Sequence, residues 1–105
     1  MALPSMTDEQ RKENAHKAAV VRHMRAVVKH QLKHGEIDPV QLLNDKQDTD
    51  LIGRMRVYQF LKSCKGIGEI TAHKIMDEVG IPGNRRIKGL GSRQYDELIR
   101  RLSDR

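Results

Sequence analysis

One short phrase occurs twice in this chain, and it fixes where two helices begin. Lys65-Gly66-Ile67-Gly68 returns as Lys88-Gly89-Leu90-Gly91, and each copy opens an amphipathic stretch of helical period. Two glycines around one apolar residue let the backbone turn tightly where a side chain would clash. The turn then presents bare N–H groups at the start of a helix, where the dipole favours an anion. A lysine precedes each copy. That combination suits a phosphate backbone gripped without reading of bases.

The overall charge points the same way. The chain of 105 residues carries 20 Lys and Arg against 14 Asp and Glu, a net charge of +6. A basic excess of this size in one small domain calls for a polyanion, nucleic acid before an acidic membrane; the alternative is a solvated basic surface. The aromatic residues are Tyr58, Phe60 and Tyr95. With so few of them the core is small and aliphatic, and stability is modest. The stacking platforms that single-strand binding needs are equally scarce. A single cysteine, Cys64, excludes an internal disulfide and a cysteine-built zinc site. Its place at the end of an apolar helical run reads as a buried structural thiol. No apolar run reaches membrane-spanning length, and the first residues are too short for a signal peptide, so a cytoplasmic protein without membrane contact is expected.

Strand signals are nearly absent, and the expected fold is all-α: a long N-terminal helix and a small helical body. Thr7 and Gln10 form a capping box, after which helix-permissive residues run to His34 and stop at Gly35. This first helix is about 27 residues, or roughly 40 Å. Val20, Val21, Met24, Val27, Val28 and Leu32 fall on one arc, which is expected to pack on the body. Residues 11–19 offer only alanines among charges and are expected to protrude or to order on a partner. Arg22, Arg25, Lys29 and Lys33 run beside the arc, either as a solvated flank or as a second DNA-facing surface.

Asp38 and Pro39 start a second helix as N-cap and first residue, anchored by Leu42 and Leu43. Residues 46–50 are a polar loop ending in another cap. Leu51, Ile52, Met55, Val57, Tyr58, Phe60 and Leu61 are core candidates. After the first glycine turn, a helix from Glu69 to Val79 places Ile70, Ala72, Ile75, Met76 and Val79 inward and ends at Gly80. A turn over residues 81–84 and a basic connector, Arg85-Arg86-Ile87-Lys88, follow. Ser92 caps the last helix, which carries Tyr95, Leu98, Ile99 and Leu102.

Arg85, Arg86 and Lys88 lie between the two turns, with Lys65, Lys74 and Arg93 nearby in sequence. Cations crowded around helix N-termini repel one another unless a polyanion is bound; the bland alternative is a solvated loop. His30 and His34 have a spacing that can hold a metal, but no third ligand and no catalytic glutamate accompany them. With His16 and His23 they add positive potential near pH 6. Asp45, Asp48 and Asp50 suit capping and solvation. No catalytic triad or phosphate-loop motif is present, so no enzyme, metal or cofactor is expected.

The run Gly66-Ile67-Gly68-Glu69-Ile70-Thr71-Ala72-His73-Lys74-Ile75-Met76, then Gly80-Ile81 and Arg85-Arg86-Ile87-Lys88-Gly89-Leu90, resembles a helix-two-turns-helix. That motif occurs in a basic protein of the bacterial small ribosomal subunit and in certain DNA glycosylases. Further likeness joins one group. Met1-Ala2-Leu3-Pro4, Thr7 to Gln10, the Ala-rich basic helix ending Leu32-Lys33-His34, and Ile52-Gly53-Arg54-Met55-Arg56-Val57 are similar to the actinobacterial integration host factors. The likeness extends over nearly the whole chain. The host factor built of β-ribbon arms shares only the name, since this chain has no hairpin arms.

The resemblance implies a nucleoid-associated protein that binds double-stranded DNA with little sequence preference. Such a protein bends, constrains or bridges DNA and affects compaction, topology and phage integration. It implies DNA contacts at Lys65, Gly66, Ile67, Gly68, Arg85, Arg86, Lys88, Gly89, Leu90 and Gly91, with Lys74 and Arg93 as additions. Arg22, Arg25, Lys29 and Lys33 are the second surface. A monomer in solution is expected, with phage integrase or other nucleoprotein complexes as further partners. Residues 1–35 then form an extension and long basic helix, and residues 36–105 a compact body with its DNA-binding segment at about 57–103. Cys64 departs from the pattern, standing where an aliphatic residue is expected. The rival reading is an RNA-binding or ribosome-associated protein using the same geometry; a glycosylase would need an amino-terminal catalytic lobe.

Overall fold

Short local signals set the element boundaries in the computed structural model, which describes residues 8–104. Six helices follow in order: α1 (Asp8–Lys33), α2 (Pro39–Lys46), α3 (Asp50–Gly53), α4 (Val57–Ser63), α5 (Glu69–Val79) and α6 (Ser92–Ser103). A 3₁₀ turn, Ile87–Gly89, precedes α6, and no strand occurs among the described residues. The Thr7 cap lies outside the described residues. Gly35 ends α1 with φ +70°, and its amide donates to the Leu32 carbonyl at 3.2 Å. The Glu36 amide reaches the Gln31 carbonyl at 2.9 Å, which completes a Schellman motif. The Asp38 carboxylate accepts from the Val40 amide at 3.0 Å with Pro39 at the first helical position. Thr49 caps α3 through its hydroxyl oxygen.

The core is aliphatic around one aromatic ring. Phe60, Leu43, Ile52, Leu61, Val57 and Leu98 are fully enclosed, and Leu32 of α1 joins them. Cys64 is buried, and its thiol donates to the Phe60 carbonyl at 3.3 Å. α4 packs on α5, α5 on α6, and α6 returns to α2. The Tyr95 hydroxyl donates to the Asn44 side-chain oxygen at 2.7 Å across that last contact. Burial, with help from Asp96 and Asp48, raises the Tyr95 phenol above its ordinary 10.0. The unfolded phenol therefore ionises first, so its contribution is complete below pH 10.0 and fades as pH rises through the folded value. Tyr95→Phe is expected to cost about 1 kcal/mol at neutral pH and to remove this alkaline decline. Urea titrations of both proteins at neutral pH and above pH 10.0 measure the two effects.

Two burial expectations fail. On α1, Val20 and Met24 are 45% and 44% exposed, and among the described residues only Val28 and Leu32 of that helix are buried. The arc is real, but the elements facing it, α3 and α4, are only four and seven residues long. They cover the last turns of α1 and leave residues 8–20 exposed on every side. Ile70 is 85% exposed instead of inward. α5 buries Ala72, Ile75 and Met76, and Ile70 lies roughly 160° around the helix from them at about 100° per residue.

Candidate nucleic-acid interface

The two glycine phrases end alike and begin differently. Gly66 takes φ +80°, reversing the chain after α4, and Ile67 plugs the core at 5% exposure. Gly68 then caps α5 in extended conformation, with open space where a Cβ would stand. In the second copy Lys88 and Gly89 belong to the 3₁₀ turn, so Gly89 has no positive φ. Gly91, not Ser92, is the cap of α6; Ser92 is its first helical residue. The common product is two helices whose cap residues lack a side chain to accept first-turn amides. Those amides are left for an anion.

A glutamine that the sequence reading passed over organises the second turn. Gln94 Oε1 accepts from the Gly91 amide at 3.0 Å and from Arg85 Nη1 at 3.2 Å. Its Nε2 donates to the Gly80 carbonyl at 2.9 Å, where α5 ends in the left-handed conformation. Arg85 Nη1 also donates to the Gly89 carbonyl at 2.9 Å. One amide and one guanidinium thereby tie the end of α5, the connector and the start of α6. The available signal was the position of Gln94, three residues after a helix cap. Arg85 is a brace of the turn before it is a surface cation.

Arg86 is anchored elsewhere. It pairs with Arg56 in an isolated antiparallel bridge, and its guanidinium donates to the Arg54 carbonyl at 2.9 Å. The Ile87 amide reaches the Met55 carbonyl at 2.9 Å, and the Val57 amide reaches the Arg85 carbonyl at the same distance. The connector is thus pinned to the link between α3 and α4. On α1, Arg25 donates to the carbonyls of Leu51 and Asp50 at 3.1 and 3.2 Å. These carbonyl contacts orient the guanidinium groups without cancelling their charge.

As a result Arg22 and Arg25 of α1 meet Arg86 of the connector around one depression of about 360 Å³, shared with Lys17, Arg54 and Asp50. Asp50 pairs with Arg54 at 3.4 Å. Arg54 lines the same depression as the α1 arginines and Arg86. Lys29 and Lys33 continue along α1 and face Lys62 of α4 across a second depression of about 400 Å³ that also includes His30. Lys65 lays its stem across the end of α1, with Cδ 3.1 Å from where a Gly35 Cβ would stand. Lys88 is exposed beside Gly89.

Lys74 and Arg93 are placed differently. Lys74 lines a groove between α5 and α6 with Glu78, Glu97, Arg100 and Arg101. Arg93 stands near Glu78 and Glu97 at the start of α6. Arg101 bridges Glu78 and Glu97, and Arg100 holds Glu97 at 2.7 Å. Hydrogen bonding from Arg100 and the charge of both arginines hold the Glu97 carboxyl below its ordinary range. This side is therefore mixed in charge, in contrast to the arginine face. His30 and His34 are ring neighbours at 4.2 Å, and no group of three metal-ligating side chains forms among the described residues. No helix among them is long and apolar enough to cross a membrane.

Comparison with known proteins gives a consistent picture. Residues 32–102 match the S13-like H2TH domain family. The chain is 43% identical over 100 residues to the integration host factor of Streptomyces coelicolor, covering 95% of this chain and 94% of the relative. It is 40% identical over 102 residues to that of Mycobacterium tuberculosis, covering 97% of each. A solved structure described as "Structure of sIHF bound to an 8bp palindromic DNA" superposes with a TM-score of 0.76 at 40% identity, covering 83% of this chain and 98% of that one.

Proposed function

The chain belongs to the integration host factor family with an S13-like H2TH domain, and from that premise we propose that it is a nucleoid-associated protein that binds double-stranded DNA. The observation that carries this is the meeting of Arg22 and Arg25 of α1 with Arg86 of the connector around one depression, where Arg25 and Arg86 are held by carbonyls instead of carboxylates; two glycine-capped helix starts belong to the same body. Phosphates would neutralise those arginines and satisfy the first-turn amides together, a mode of binding indifferent to base sequence. Lys65 to Gly68, Lys88 to Gly91, Arg85 and Arg86 form the primary contact in this reading, with Arg85 also bracing it. Arg22, Arg25, Lys29 and Lys33, with Arg54, extend the contact along α1. Lys74 and Arg93 approach phosphate from the margin.

A duplex following both faces would be bent or constrained, and gains from the longer contact offset a deformation of a few kcal/mol. Compaction, topology and phage integration, with integrase as a partner, follow from such a role. The protein acts as a monomer in solution, on the nucleoid in the cytoplasm, without catalysis, cofactor or membrane contact. Residues 36–105 supply the turns, with about 57–103 as the DNA-binding segment, and residues 1–35 add the long helix.

Fluorescence anisotropy on matched duplex DNA, single-stranded DNA and duplex RNA across a salt series tests the reading. Duplex DNA is expected to bind tightest, with a log–log salt slope of about 0.9 for each phosphate neutralised. Equal or tighter binding to duplex RNA would replace the DNA reading with a ribosome-like one.

A further inference from the structure

Ile70 is the most exposed large apolar side chain of the described residues, at 85%, and nothing in the folding of the chain uses it. It sits in the first turn of α5, two residues after Gly68, where space around the backbone is open. Its neighbours one helical turn on are His73 and Lys74, both exposed. The His73 ring stacks on Tyr58 of α4 at 4.6 Å between centroids, and the Lys62 ammonium lies 5.8 Å from the same tyrosine ring. An apolar and aromatic ridge thus runs from the first glycine turn to α4 between cations on both sides.

We infer that Ile70, backed by the His73–Tyr58 stack, seats against the deoxyribose edge of a DNA groove while the cations beside it take the flanking phosphates. Charge complementarity selects this occupant. Lys62 and Lys74 suit the phosphates of a polyanion. What fits between flanking phosphates is the apolar sugar edge. Apolar side chains used in this way widen or kink a groove, which links the contact to bending. The inference rests on the duplex-binding reading and adds to it a contact that salt does not weaken.

The test compares wild type with Ile70→Ser and Ile70→Leu on a duplex labelled at both ends, by anisotropy across a salt series and by energy transfer for the end-to-end distance. Because Ile70 is exposed, both variants are expected to melt with wild type, and circular dichroism checks this. Ile70→Ser is expected to bind about fivefold more weakly with an unchanged salt slope and a longer end-to-end distance. Ile70→Leu is expected to restore both. Wild-type affinity and bending in Ile70→Ser would overturn the inference while leaving the duplex-binding reading intact. Absence of salt-dependent duplex binding by the wild type itself would overturn both.

Discussion

Gly53→Ala is expected to lose about 3 kcal/mol of stability. Gly53 is buried at the end of α3. A Cβ built there would stand 2.5 Å from the Gln47 carbonyl oxygen and 3.2 Å from Lys88 Cβ. The first contact is with backbone, so no rotamer change relieves it. α3 must move away from the end of α2, from the 3₁₀ turn that carries Lys88, or from both. Urea denaturation measures the loss, and Gly83→Ala is the control. Gly83 is exposed with nothing within 4 Å of its Cβ position, so that variant is expected to stay within about 0.5 kcal/mol of wild type. A Gly53→Ala protein as stable as the control would show that α3 is not wedged as described.

The second large effect separates charge from geometry at the interface. Removing two phosphate-facing cations in Arg22→Ala/Arg86→Ala is expected to flatten the log–log salt slope by roughly two. Near physiological salt that amounts to about thirtyfold weaker duplex binding. Gln94→Ala removes no charge. It breaks the links from Gly91, Arg85 and Gly80, and is expected to cost about 2 kcal/mol of stability. Its duplex binding is expected to weaken with the slope unchanged, since the phosphates neutralised are the same but the turn that presents them is loose. Arg85→Ala combines both effects, because Arg85 is cation and brace at once. Slopes and affinities measured on one duplex distinguish the three proteins. Equal slopes in wild type and Arg22→Ala/Arg86→Ala would remove those arginines from the phosphate contact.

The caps were legible because they are local. Asp38, Gly35 and Gly80 do their work within a few residues of their own position, through a short side-chain acceptor or a left-handed backbone that glycine tolerates, whereas the cap expected at the end of the 46–50 loop is Thr49, with Asp50 already helical. The all-helical content and the start of α5 followed from the same chemistry. The second phrase misled by one residue at the cap and by a whole turn type at Gly89, since identical glycines need not share φ.

Helical period fixed the angle at which Val20, Met24 and Ile70 point, while composition and short local signals determined the basic character of the chain, its all-helical content and the caps at Asp38, Gly35 and Gly80. The period could not say whether anything stands opposite each apolar residue. That depends on the lengths of α3 and α4 and on where α5 turns its buried face, and only the tertiary structure decided it. The same holds for Gly53, held by Gln47 and Lys88, for Gln94, tied to Gly80 and Arg85, and for Arg54, lining one depression with the α1 arginines and Arg86. Each acts through residues remote in sequence. Local propensity carries no information about such partners, because their distance is set by how the whole core closes.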